Sequence, residues 1–435
     1  MNAKKKKSKP AGRKPALTRS SAKATGNPSL SKSATQTAKD SSNNLPKLLL
    51  VLAIVVVVGV AARVAFSPVS PERIQELETN ATLFSQRGQW SQLEAVAQEW
   101  ASAAPGDFQP WRYAAEAALQ QGNPVAAVEY LRRAPDDSPV DCFHQLSFLE
   151  MEALKDPLAA KATCDETLAR FPLDPENHER LLFYYTMTAQ RAAIAQEAQR
   201  AIEAGCDTLG TYGYLFASEW LTFTNGYETN QQWLQSYPGN ELFEVAATMH
   251  LPSFQFLDLL AREAHPEQEA PKPLAFAAEE VTHLRQVYPD NIELLAIETR
   301  DLCRSGDVDA VAAQLSLNHP IAGGDHRFWR FRGWYHSAVE EWSEAIRCYE
   351  RALELQPWDW ATQLELAAAI RATDGVKAAA NMQMQADQGK TLMMAVQACP
   401  NVRLLQPRSL YEDLAAYFQR CGSKEIADAL TRKLK

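Results

Sequence analysis

Two hydrophobic patterns divide the chain. From Leu48 to Ala62 every residue is apolar or glycine; Arg63 interrupts, and Val64, Ala65 and Phe66 continue. As a helix, Leu48–Phe66 is about 28 Å long, close to the hydrocarbon thickness of a bilayer. Arg63 lies within a turn of its end, where it can snorkel to the interface, and Ser67, Pro68, Ser70 and Pro71 stop the helix. From Glu72 onward the pattern changes. Apolar residues recur at spacings of three and four, Ala, Leu, Glu and Gln dominate, and the breaks fall at Gly, Pro and Asn. That is the signature of helix after helix, and no alternating strand pattern persists, so the expected class is all-α.

The helices repeat. The clearest unit is His326–Pro357, with Trp329, Gly333 and Tyr335 on its first helix and Trp342, Ala345, Tyr349, Ala352 and Leu353 on its second. With His326 as position 1, Trp329, Gly333, Ala345, Ala352 and Pro357 fall at positions 4, 8, 20, 27 and 32. This resembles the tetratricopeptide repeat, a helix pair of about 34 residues in which small residues let two helices approach and proline ends the second. Trp111, Gly122, Ala127, Ala134 and Pro139 keep the same offsets; Gly88 and Pro105 mark an earlier turn and end; Lys155 replaces the turn glycine in Asp141–Pro172. A last unit holds Tyr411, Leu414, Ala415, Phe418, Gly422 and Ala427 and closes on the polar run Thr431–Lys435, as a capping helix should.

The resemblance implies a helical-hairpin solenoid, a right-handed superhelix, preceded by one transmembrane helix (45–66) and a disordered basic tail (1–44). The expected array runs 72–264 and 274–435. Residues 206–272 depart from the repeat, being rich in Tyr, Trp and Phe, and the run His265–Pro273 reads as a linker.

Charge sharpens the topology. Residues 1–47 hold twelve Lys and Arg against one acid, Asp40, a net +11; the whole chain is -9, so the remainder carries -20. A tail without aromatics cannot offset its ordering entropy. The positive-inside rule places it in the cytoplasm and Glu72–Lys435 on the far side, periplasmic in a bacterium. Arg63 sits where a signal-peptide cleavage site wants a small residue, which favours an uncleaved anchor. The seven cysteines include no C-x-x-C pair and read as buried thiols, Cys142 and Cys164 being the one pair that a single hairpin brings near each other.

Candidate chemistry is thin. Gly389-Lys390-Thr391 ends like a phosphate loop, but Met384 stands where the first glycine belongs. The eight His lack metal-ligand spacing, and Glu279-Glu280 and Glu340-Glu341 read as solvated helix faces. No enzyme, cofactor, metal or nucleic-acid role is expected. In proteins of the resembled family, positions 2, 5, 9 and 12 of the first helix face the groove. Here these are Arg327, Arg330, Trp334 and Ser337, with Arg112 at position 5 of an earlier unit. Two guanidiniums beside an indole suit a carboxylate or an acidic peptide, whereas the family's Lys and Asn clamp for chaperone C-termini is missing. The expectation is a membrane-anchored scaffold for a protein or peptide partner, in an envelope assembly or transport system and tethered through Leu48–Phe66. The alternative is a targeting or translocation receptor whose array faces the cytosol.

Overall fold

The computed structural model describes residues 70–264, 277–316 and 323–435. The basic tail 1–44, the apolar run Leu48–Phe66 and the linker 265–273 lie outside them. Among the described residues every regular element is helical, and no helix is long and apolar enough to cross a membrane.

Four hairpins open the array: α1 (Pro71–Gln86) with α2 (Trp90–Ala103), α3 (Gln109–Gln120) with α4 (Pro124–Arg132), α5 (Val140–Phe148, continued by a π turn) with α6 (Pro157–Arg170), and α7 (Pro175–Met187) with α8 (Arg191–Ala204). The alternation then loosens through α9 (Leu209–Ala217), α10 (Gly226–Ser236), α11 (Glu241–Ala264), α12 (Ala277–Val287), α13 (Ile292–Ser305) and α14 (Val308–Ser316); α9 packs back on α8, and α10 pairs with α11. Three hairpins finish it: α15 (His326–Ala338) with α16 (Trp342–Leu355), α17 (Trp360–Asp374) with α18 (Val376–Gln397), and α19 (Ser409–Arg420) with α20 (Lys424–Leu434).

The local chemistry explains the rhythm. Each tight hairpin turn needs one residue in the left-handed region, supplied by Gly88, Gly122 and Gly422 but also by Lys155, Ala189 and Glu340 at φ 54°, 52° and 61°. Between hairpins, proline after Phe171, Tyr288 and Gln356 stops one helix, and Asp174, Asn291 and Asp359 cap the next through backbone N–H groups. Inside the clearest unit, a Cβ added to Gly333 would sit 2.4 Å from the Tyr349 ring, and Ala345 and Ala352 are fully buried. The small-residue positions of the repeat are therefore contact points between helices.

The start of the aromatic-rich stretch that breaks the repeat, α9, enters the central core. Tyr212, Tyr214, Leu215 and Phe216 of α9 are buried, and Phe216 meets Tyr417 and Phe418 of α19 edge-on at 6.0 and 6.4 Å. Leu392, Val396, Leu414 and Leu430 join Leu182 and Ile194 in the same cluster. The chain thus folds back so that its last helices cover its middle. The segment before α19 presses so close that a Cβ on Gly213 would lie 2.2 Å from the Val402 carbonyl oxygen. Residues of both expected halves of the array share this one core.

His250 of α11 is fully buried. Its Nδ1 accepts the Phe223 N–H at 3.1 Å, and its Nε2 lies 3.1 Å from the Met187 carbonyl. Burial pushes its pKa down to about 4. The unfolded state therefore binds the proton more readily, and this contribution, complete above about pH 6.5, is lost as pH falls towards 4. Urea unfolding should show about 2 kcal/mol less stability at pH 5 than at pH 8 from this group, a slope that His250→Asn removes. Gly333→Ala should lower stability by about 1–3 kcal/mol through overpacking against Tyr349, while Gly323→Ala, with open space around it, should be neutral by thermal melting.

Candidate functional site

Helices α9, α11, α13, α15 and α17 supply most of the wall of a cavity of about 800 Å³. Its aromatic lining comes from Phe216, Trp220, Phe331, Trp334, Trp358 and Trp360. Trp220, Trp334 and Trp360 are half-buried and keep part of their surface open. This size and lining suit a small ligand or a few peptide side chains.

Three of the four residues that the sequence proposes for binding lie here, and two of them are already engaged. Arg327 and Arg330 are not free guanidiniums in a groove, as expected, but buried at 5% and 7% exposure. Arg327 donates to Glu293 of α13 at 2.6 and 3.1 Å and to Asp325 at 2.7 Å. Arg330 donates to Asp359 at 2.8 Å and makes a two-point contact with Glu219, in the turn after α9. The correction has a local cause: Asp325 and Asp359 are the N-caps of α15 and α17, which places a carboxylate beside each arginine. Burial works against both guanidiniums, but the facing carboxylates outweigh it and raise their pKa values. Likewise burial would raise the Glu219 carboxyl, but Arg330 and His326 hold it well below the usual range.

Trp334 lines the cavity as the sequence proposes. Arg112 does not join it. On α3 it is exposed, donates to Gln109 at 3.0 Å and lies 5.0 Å from the Tyr113 ring.

Glu219, His326 and Asp359 bring ligand atoms within 4.8 Å of one another, the donor set of a divalent cation. Arg330 bridges Glu219 and Asp359, so its guanidinium already supplies the positive charge there. Gly389 is inside α18, where an added Cβ would meet Tyr417 and Trp360 at 2.3 and 2.5 Å; it is a packing glycine, not part of a phosphate loop. Cys142 and Cys164 are buried free thiols.

Sequence reasoning missed Glu219, Arg191, Glu293 and Glu365. Asp325 and Asp359 carried a readable signal as acids just ahead of a first helix. Glu219 carried none, because its partners are more than a hundred residues away.

No protein-family model and no curated protein matches the chain. Similar solved structures include a tetratricopeptide repeat protein from Parabacteroides merdae, 11% identical, TM-score 0.26, covering 69% of this chain and 99% of that one. Others are the APC/C hetero-tetramer Cut9-Hcn1, 13% identical, TM-score 0.29, covering 85% and 79%, and yeast Tom70, 13% identical, TM-score 0.26, covering 83% and 90%.

Removing Arg330 strands two carboxylates, so Arg330→Ala should cost about 3–5 kcal/mol of stability. Glu365 behaves oppositely. It accepts the Tyr349 hydroxyl at 2.8 Å, and burial raises its pKa. Its ionisation costs stability as pH rises through that raised value, whereas the stabilisation from Glu219 is complete above about pH 4.5 and lost below it. At pH 7, denaturant unfolding should therefore show Glu219→Gln destabilised and Glu365→Gln equal to or more stable than the parent.

Proposed function

We propose that this chain is a protein-binding scaffold, not an enzyme, and that the cavity between α9 and α15 is its partner site. The observation that carries this reading is the set of three half-buried indoles, Trp220, Trp334 and Trp360, around one cavity. Tryptophans in such settings supply much of the energy of protein interfaces. Of the helices that line it, α13, α15 and α17 are first helices of their pairs, the ones that face the binding groove in a right-handed helical-hairpin solenoid. The cavity's chemistry favours binding over catalysis. Burial pushes its one lining thiol, Cys303, up to about 12, the wrong direction for a nucleophile, and its arginines and acids are mostly committed to each other.

The scaffold is tethered. Leu48–Phe66 is the anchor, the +11 segment lies in the cytoplasm, and residues 72–435 stand on the opposite side, where the anchor raises the local concentration of membrane partners. An envelope assembly or transport complex fits that placement.

Mild crosslinking of the full chain in its own membranes, with a C-terminal tag, tests the reading. A reproducible partner should be lost in Trp220→Ala/Trp334→Ala and retained in Arg112→Ala. A partner retained in the tryptophan variant would remove the site. Protease treatment of sealed membranes tests the topology: the array should be protected until lysis, and cleavage without lysis would favour the cytosol-facing receptor instead.

A further inference from the structure

The scaffold reading leaves the partner's chemistry open, and one side chain narrows it. Arg191, at the start of α8, lines the same cavity, with its side chain 12% exposed. Its Nη1 donates to the Ser218 and Leu221 carbonyls at 3.3 and 3.4 Å. Among the described residues its one carboxylate within ion-pair distance is Glu293, at 3.7 Å, and that same Oε2 already takes the Arg327 Nη1 at 2.6 Å. Arg327 and Arg330 each have two carboxylates; Arg191 has a share of one. Burial accordingly pushes the Arg191 pKa down, which Glu293 opposes and Arg327 reinforces. A buried cation short of counter-charge is costly, and an anion entering the cavity relieves that cost.

The rim repeats the imbalance. Arg300 and Arg304 both line the cavity and share Asp301, at 3.2 and 3.8 Å, with Arg304 72% exposed. An under-matched guanidinium within, a second excess of positive charge at the mouth and half-exposed indoles together define a ligand that is anionic at one point and apolar beside it.

We propose that the cavity binds a peptide segment of a protein partner in which a bulky apolar side chain lies next to a carboxylate. The carboxylate pairs with Arg191, the apolar side chain packs on Trp220 and Trp334, and Arg300 and Arg304 receive any further acidic residue. This rests on the scaffold reading above and names the class of its partner.

The test uses the detergent-solubilised full chain and four acetylated, amidated dodecapeptides of Gly and Ser, carrying Phe-Glu, Phe-Gln, Ser-Glu or Phe-Lys at the centre. Binding is followed by calorimetry and tryptophan fluorescence. Phe-Glu should bind about ten-fold or more tighter than each of the others, the worth of one charge-assisted pair. Arg191→Gln should bring Phe-Glu down to the Phe-Gln level and leave Phe-Gln binding unchanged, which a misfolded variant would not do; Arg191→Lys should restore part of the preference. Trp334→Ala should weaken Phe-Glu and Phe-Gln alike. Equal binding of Phe-Glu and Phe-Gln, or a preference that survives Arg191→Gln, overturns the inference. Failure of all four peptides, while crosslinked partner is still lost in the tryptophan variant, overturns it and leaves the scaffold standing. Selective Phe-Glu binding with no tryptophan-dependent partner in membranes would instead sink the scaffold.

Discussion

The contact between Glu219 and Arg330 joins residues 111 positions apart, and much of the molecule's organisation depends on it. A stack of helical hairpins is stabilised mainly by neighbours. This chain departs from that one-dimensional logic by bringing the turn after α9 against α15. A carboxylate and a guanidinium removed from water are worth holding only in well-made geometry. Here the geometry is completed by Asp359 on one side and His326 on the other. The same closure brings α9 under α19 and lets Phe216, Tyr417 and Phe418 form one aromatic cluster. The cavity is the space left between these two seams.

Much of the fold was legible in the sequence, because its local rules are strict. A helix pair that packs closely needs Gly333, Ala345 and Ala352 where they stand, and the proline–acid pairs ahead of α7 and α17 mark the ends of hairpins. The replaced turn glycine was readable too: Lys155 takes the left-handed conformation that a glycine would otherwise supply. The closure was not legible. No periodicity relates Glu219 to Arg330 or Gly213 to Val402, so the aromatics of α9 read as part of a departure from the repeat instead of as the core that the last helices cover.

The candidate site was half legible for the same reason. Helical offsets placed Arg327, Arg330 and Trp334 on one wall, which is where they are. Offsets do not show what stands opposite. Three carboxylates from other segments and Asp325, the N-cap of their own helix, occupy the two arginines, while Arg191 is left under-matched and the tryptophans stay open. Arginine is the residue of choice both for buried ion pairs and for anion recognition; only the supply of carboxylates around each one separates the two roles.

A double-mutant cycle of Glu219→Gln and Arg330→Met, read by equilibrium unfolding, is the most direct test that this clamp organises the array. A favourable coupling of about 2 kcal/mol is expected, in the range of residues sharing one buried network. Additive single-mutant effects would mean that the two side chains do not hold α9 to α15, and would contradict the account of both the closure and the cavity.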